Sequence, residues 1–97
     1  MKRNTAVIDL HGCNYLGEIH GRIKSALNFP AHYGENWSAF WDFLWSECDA
    51  DKVIIKGERT LPKEFNESIV KMHEILERNA HFRKENSLNS FSFEIVN

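Results

Sequence analysis

Three short apolar runs, separated by segments with helical spacing, constrain the fold of this chain most. The β-branched and aromatic content of these runs predicts strands at 4–10, 53–57 and 91–97. Apolar residues at steps of three and four predict helices at about 15–27, 37–47 and 65–76. Strands that alternate with helices favour parallel pairing and right-handed crossovers. The sequence therefore predicts an α/β fold, with a small three-stranded parallel sheet covered by about three to four helices.

Finer features of the pattern predict how these elements begin and end. The nearly continuous apolar run at 6–10 is typical of a strand covered on both faces, and the run at 53–57 is expected to be the central strand. Asn14 and Asn36 are the expected N-caps of the first two helices. The polar segment 79–89 is expected to form a loop.

Length and cysteine content bound the class of protein. A chain of 97 residues suits one domain spanning 1–97, with one core and little room for a deep cleft. Cys13 and Cys48 are too few for a disulfide framework, so the reducing cytoplasm is the expected compartment. We expect neither a targeting segment nor a membrane span, because no apolar run is long enough for either.

Charge is segregated along the chain. Residues 25–51 contain no Lys or Arg and five acidic side chains, a formal charge of −5. The rest of the chain holds all 12 basic residues and nine acidic ones, a balance of +3. Such a patch would repel nucleic acid and attract a basic protein, so a basic protein partner is expected.

The predicted helix 37–47 carries two stripes. One apolar stripe is expected to pack on the sheet; its members are Trp37, Phe40, Trp41 and Leu44. A neighbouring stripe holds a carboxylate between aromatics and consists of Ser38, Asp42 and Trp45. No Lys or Arg of the acidic window can pair with Asp42, so its expected counter-ion is an Arg on another molecule. Tryptophans that flank such a carboxylate suit an interface.

Catalytic and metal chemistry find little support in the sequence. His11 and Cys13 flank a turn, but no oxyanion motif accompanies them, and Cys13 is better explained as a small buried residue. The five histidines lack the spacing of metal ligands, and no glycine-rich phosphate loop is present. No cofactor is expected. Charges of alternating sign at 83–85 and 56–59 indicate a solvated surface more than an RNA site.

The segment FPAHYGENWSAFWDFL, residues 29–44, resembles the barstar family of ribonuclease inhibitors. The matching positions are Pro30, Tyr33, Gly34, Glu35, Asn36, Phe40, Trp41, Asp42 and Leu44, with Leu16, Ile19, His20 and Leu27 upstream. The resemblance is specific over residues 6–44. From 53 to 97 it extends only to the order of the elements.

The resemblance implies a fold, a partner and a mechanism. Barstar-like proteins have a three-stranded parallel sheet with helices, and they bind a secreted ribonuclease inside the cell that makes it. Their second helix and the preceding loop block the active site, with an Asp in the place of a substrate phosphate. Asp42 is the matching residue. We therefore expect a monomer that forms a 1:1 complex with a basic ribonuclease or a toxin nuclease domain.

Several partner-facing positions depart from the family pattern. His32 stands where the founding member has Tyr, Ser38 where it has Asp, and Ser46-Glu47 where it has Gly-Trp. The family's late helical Glu corresponds to Glu77 or Glu74. The predicted partner-binding residues are His32, Tyr33, Asn36, Ser38, Trp41, Asp42, Trp45, Ser46, Glu47 and Glu77. Because the departures fall where partners are selected, a non-ribonuclease basic toxin stays an alternative target.

Overall fold

The sheet has the predicted parallel topology. The computed structural model describes residues 5–46, 48, 50–86 and 90–96. Strands β1 (Thr5–Asp9), β2 (Lys52–Lys56) and β3 (Ser92–Val96) pair in parallel in the order β1-β2-β3. The prediction of an α/β fold with the second strand at the centre is confirmed.

Helices supply the connections between the strands. The described residues form three α-helices, α1 (Leu16–Leu27), α2 (Trp37–Ser46) and α3 (Asn66–Glu85). Two short 3₁₀ helices, Glu58–Thr60 and Lys63–Phe65, lie between β2 and α3. None of the described helices combines the length and the apolar character that crossing a membrane requires.

One face of the sheet packs against the helices and the other is open. Ile8 of β1 lies beside Ile55 of β2, and both are fully buried. Their neighbours in sequence, Val7 and Ile54, lie on the opposite face, where Val7 is 46% exposed. The prediction that the first strand is covered on both faces is therefore wrong. Because both crossovers run in the same direction along the sheet, right-handed connections place their helices on one side.

The core lies between this buried face and the three helices. Apolar side chains from every helix reach it, and the fully buried ones include Ile19, Ile23, Phe40, Leu44, Val53, Met72 and Leu76. Burial of these side chains is the main source of stability for a domain of this size.

Helix α3 extends beyond the predicted end of the third helix. Residues 79–85, expected to be loop, continue the helix to Glu85, and residues 87–89 lie outside the described residues. Asn79 is fully buried and Arg83 is 8% exposed, so polar side chains occupy the buried side of the last two turns. An apolar periodicity cannot reveal a buried face that is made of polar residues.

Helix α1 begins without the predicted cap. Its N-cap is Tyr15, and no side chain caps the helix there. The backbone N–H of Asn14 instead donates to Glu18 Oε1 at 3.1 Å. The helix ends before Pro30, at Asn28, which adopts the left-handed conformation with φ 56° and donates its N–H to the carbonyl of Lys24.

Candidate functional site

The start of α2 is fixed by Asn36. The N–H of Ala39 donates to Asn36 Oδ1 at 2.8 Å, which is the bond of a helix N-cap. Asn36 Nδ2 also donates to the carbonyl of Gly34 at 3.1 Å, across Glu35, whose φ is +51°. The predicted capping role of Asn36 is confirmed, and these two bonds connect the loop before α2 to the first turn of the helix.

The same loop is supported from beneath by a buried histidine. Nδ1 of His20 lies 2.8 Å from the hydroxyl of Tyr33, and the His20 ring lies 4.4 Å from the Trp37 ring between centroids. Burial lowers the pKa of His20 and raises the pKa of the Tyr33 hydroxyl, with Glu35 a smaller influence on both. His20 is therefore neutral at pH 7 and packs as part of the core.

Tyr33 lies inside the protein, away from the expected interface. Its side chain is 4% exposed and forms the bond to His20 described above. A side chain buried to this extent is not accessible for direct contact with a partner. Tyr33 instead supports the loop on which the exposed His32 sits, with the His32 ring 5.5 Å from the Phe43 ring.

Helix α2 divides its aromatics between the core and the surface. Phe40 and Leu44 are fully buried, as predicted for the apolar stripe. Trp41 is partly buried and meets α3, where its ring lies edge-on at 6.0 Å from Phe82. Trp45 is 46% exposed and also contacts Phe82, at 5.9 Å. Both indoles therefore lie on the side of α2 that meets α3, against the same Phe82 ring.

Asp42 is exposed and lines a depression together with Trp41. Among the described residues its carboxylate has no hydrogen bond and no ion pair. Its backbone carbonyl accepts a hydrogen bond from the Ser46 hydroxyl, and Ser38 is exposed one turn earlier. The structure thus brings Ser38, Asp42 and Ser46 onto one side of α2. Glu47 lies outside the described residues.

A shallow depression of about 390 Å³ separates this side of α2 from α3. It is lined from both helices by Trp37, Ser38, Trp41, Asp42, Lys71, Glu74, Ile75 and Arg78. The guanidinium carbon of Arg78 lies 4.3 Å from the Trp41 ring centroid. Lys71 and Arg78 lie outside the acidic window, so the prediction of a counter-ion for Asp42 did not include these two cations. The spacing of Lys71, Glu74 and Arg78 on one helix face was the available signal.

Two other acidic residues are placed differently from expectation. Glu77 lines a separate depression with Ala80, His81 and Phe91, so Glu74, not Glu77, shares a depression with Asp42. Asp51 of the acidic window lies 3.8 Å from Arg83, measured from Oδ1 to a guanidinium nitrogen. Part of the negative charge of that window is therefore balanced within the molecule.

Cys13 and the potential metal ligands that the structure describes differ from the residues of a catalytic or metal site. Cys13 is 2% exposed, and burial raises the pKa of its thiol, whereas a nucleophilic cysteine requires a lowered pKa. In the part of the chain that the structure describes, no three His, Cys, Asp or Glu side chains cluster as metal ligands do.

Comparison with known proteins decides the family. The family model described as Barstar (barnase inhibitor) matches residues 3–94. This chain belongs to the barstar family. A sequence search of curated proteins finds no match. The family match extends through β2 and α3 and into β3, a region about which the motifs of residues 29–44 gave no information. The depression between α2 and α3 thus lies wholly within the barstar-family region.

Proposed function

We propose that this barstar-family protein acts inside the cell as the inhibitor of a basic ribonuclease or toxin nuclease domain. It binds the enzyme 1:1 and blocks the active site with the loop 29–36 and helix α2. The description of the family as a barnase inhibitor supports this function. The hydrogen bonds by which Asn36 connects the loop to α2 also support the inhibitor function. A surface that is ordered before binding loses less entropy on association.

The observation that carries the proposal is the state of Asp42. Its carboxylate is exposed, has no ion pair among the described residues, and lines the same depression as Trp41. A ribonuclease holds RNA phosphates with basic side chains, and a carboxylate can take the place of a phosphate oxygen pair. The indoles of Trp37 and Trp41 line the same depression, and such apolar surface beside the contact would exclude water and strengthen it.

The remaining exposed residues are proposed to select the partner. His32 and Trp45 are exposed, and the exposed Ser38 and Ser46 lie one turn before and one turn after Asp42 on α2. Variation at such positions changes which enzyme is bound without changing the scaffold. A basic toxin that is not a ribonuclease is the second candidate, since His32 and Ser38 depart from the family pattern.

The test compares two carboxylate variants in binding and inhibition assays with barnase and with cationic toxin nuclease domains. We expect Asp42→Ala to weaken binding by about 2–5 kcal/mol, because it leaves the partner's cation buried and unpaired. Glu94→Ala is the matched control. Glu94 lies on the open face of the sheet and forms only an exposed pair with Lys52 at 3.3 Å. Equal effects of the two substitutions would contradict the proposal. Binding only to a basic toxin without ribonuclease activity would favour the second candidate.

A further inference from the structure

The depression between α2 and α3 carries both signs of charge. Asp42 and Glu74 supply two carboxylates, and Lys71 and Arg78 supply two cations. The formal charge of the lining is therefore zero, although residues 25–51 alone carry −5. A uniformly positive partner would complement the two carboxylates and would meet like charge at the two cations.

Arg78 is positioned to bind an acceptor on another molecule. Its guanidinium carbon lies 4.3 Å from the centroid of the Trp41 ring, a distance at which cation–π attraction holds the group in place. Stacking uses the face of the guanidinium, whereas its N–H donors lie in the plane of the group. Within the described ranges neither Arg78 nor Lys71 forms an ion pair. The in-plane donors of Arg78 are thus open to a partner.

We propose that the partner presents an Asp or Glu carboxylate beside the cation that receives Asp42, and that Arg78 binds this carboxylate. Lys71 adds positive charge at the same place. The inference rests on the proposed function and adds the chemistry by which the partner is selected. A planar guanidinium binds a carboxylate through two parallel hydrogen bonds, so Arg78 specifies position as well as charge. Nucleases whose clefts are positive throughout are disfavoured.

The first test uses barnase as a probe, since a ribonuclease cleft holds phosphates with basic groups. The dissociation constant is measured for the wild-type chain, Arg78→Glu and Lys71→Glu, after circular dichroism has shown that each variant is folded. Arg59→Glu is the control for net charge, because Arg59 is exposed and lies outside the depression. We expect Arg78→Glu to tighten binding by about tenfold and Arg59→Glu to have a much smaller effect. Equal effects, or no binding by any form, would overturn the inference.

The second test identifies the chemistry that Arg78 selects. Catalytically inactive barnase, randomised at surface positions that border its active site, is selected for binding to the wild-type chain and separately to Arg78→Ala. Selection with the wild-type chain should enrich Asp and Glu, and selection with Arg78→Ala should not. Equal enrichment in the two selections, or none in either, would count against the inference.

Asp42→Ala separates failure of the inference from failure of the proposed function. It is measured both in the wild-type background and together with Arg78→Glu. If Asp42→Ala weakens binding while Arg78→Glu behaves like Arg59→Glu, the proposed function stands and the assignment of Arg78 is wrong. If Asp42→Ala changes the affinity in neither background, the proposed function fails and the inference fails with it.

Discussion

His20 connects the packing of the core to the shape of the binding loop. Its ring is fully buried, and among the described residues its Nε2 has no hydrogen-bond partner, so the bond between Nδ1 and Tyr33 is the polar contact that fixes it. A buried polar atom that loses its partner keeps its desolvation cost without compensation. The Tyr33 hydroxyl therefore contributes to stability although it never meets solvent.

Replacement of Tyr33 by Phe tests this contact. We expect Tyr33→Phe to lower the free energy of unfolding by about 1–3 kcal/mol, because it leaves His20 Nδ1 buried without a partner. Urea titration followed by tryptophan fluorescence measures the change. Tyr15→Phe removes a hydroxyl from a side chain that is 62% exposed, and it should leave stability unaltered. A Tyr33→Phe protein as stable as the Tyr15→Phe protein would show that the bond contributes nothing.

His20 should also make the stability depend on pH. Burial lowers its pKa in the folded state below the ordinary value of 6.5, with Glu35 opposing the shift. Just below that value the unfolded chain therefore binds more protons than the folded chain. The free energy of unfolding falls as the pH drops through this window, and the loss ends below the folded-state pKa.

The measurement compares urea unfolding of wild type and His20→Asn at about pH 7.5 and about pH 5. Between these pH values the free energy of unfolding should fall more for the wild-type protein than for the variant. Packing that the variant loses at both pH values does not affect this comparison. The variant retains the other four histidines, at positions 11, 32, 73 and 81, so the difference isolates His20. Identical pH dependence in the two proteins would refute the assignment.

At the scale of single residues, the sequence predicted exposure on the helix better than exposure in the loop. Asp42 and Trp45 were expected on the surface from their helical stripe, and they are exposed. Tyr33 was assigned to the same surface because of its place in the loop, yet it is buried. A loop residue has no periodicity that tells which way its side chain points, and here the decisive contact, with His20, comes from another helix.

Among the elements, α3 holds the structure together through polar as well as apolar contacts. One guanidinium nitrogen of Arg83 donates to the carbonyl of Cys48 at 3.1 Å, and another lies 3.8 Å from Asp51. The same guanidinium lies 5.2 Å from the Phe91 ring centroid. Arg83 thus joins the connection between α2 and β2 to the start of β3.

Removal of this side chain should therefore cost stability beyond the loss of helix propensity. We expect Arg83→Ala to lower the free energy of unfolding by about 1.5–3 kcal/mol, the range for a hydrogen bond to a charged group. Arg83→Lys should have a free energy of unfolding between those of the wild type and Arg83→Ala, because it keeps the charge and loses the planar guanidinium group. Lys84→Ala, at the exposed neighbouring position, is the control for urea unfolding. If Arg83→Ala were no more harmful than Lys84→Ala, the linking role would be excluded.

The second half of α3 also shows why part of the site was missed. Its buried side carries Asn79 and Arg83, so the apolar pattern that predicted the helix stops at Leu76. The spacing of Lys71, Glu74 and Arg78 indicated a shared helix face, but local spacing did not show that this face meets Trp41. Contacts between α2 and α3 join residues more than thirty positions apart, which local spacing cannot predict.

For the whole molecule, the order of the elements was sufficient to predict the sheet but not its open face. Alternating strands and helices gave the parallel topology, and the family resemblance agreed with it. The run of apolar residues in β1 suggested cover on both faces, whereas Val7 and Ile54 lie on the side without helices. The side on which helices pack depends on the direction of both crossovers together, and no single strand carries that information.

The distribution of charge over the whole molecule predicts how binding responds to salt. The surface around Asp42 belongs to a segment of charge −5, while the remainder carries +3. An electric field of this kind steers a basic partner toward the surface and accelerates encounter. The pairing of Asp51 with Arg83 and the presence of Arg78 and Lys71 near Asp42 weaken the field close to the surface. Electrostatic steering of a basic partner should therefore be present, but weaker than a charge of −5 alone would give.

Stopped-flow mixing with a ribonuclease that the chain inhibits measures this effect. The association rate constant should fall by roughly tenfold between low and high ionic strength, where the screening length drops from about 30 Å to about 3 Å. The dissociation rate should change less, because the contacts of the complex are desolvated. Arg78→Glu should steepen the salt dependence by adding negative charge beside Asp42, whereas Arg78→Ala should have an intermediate effect. An association rate that is independent of salt in all three proteins would mean that charge does not guide the encounter.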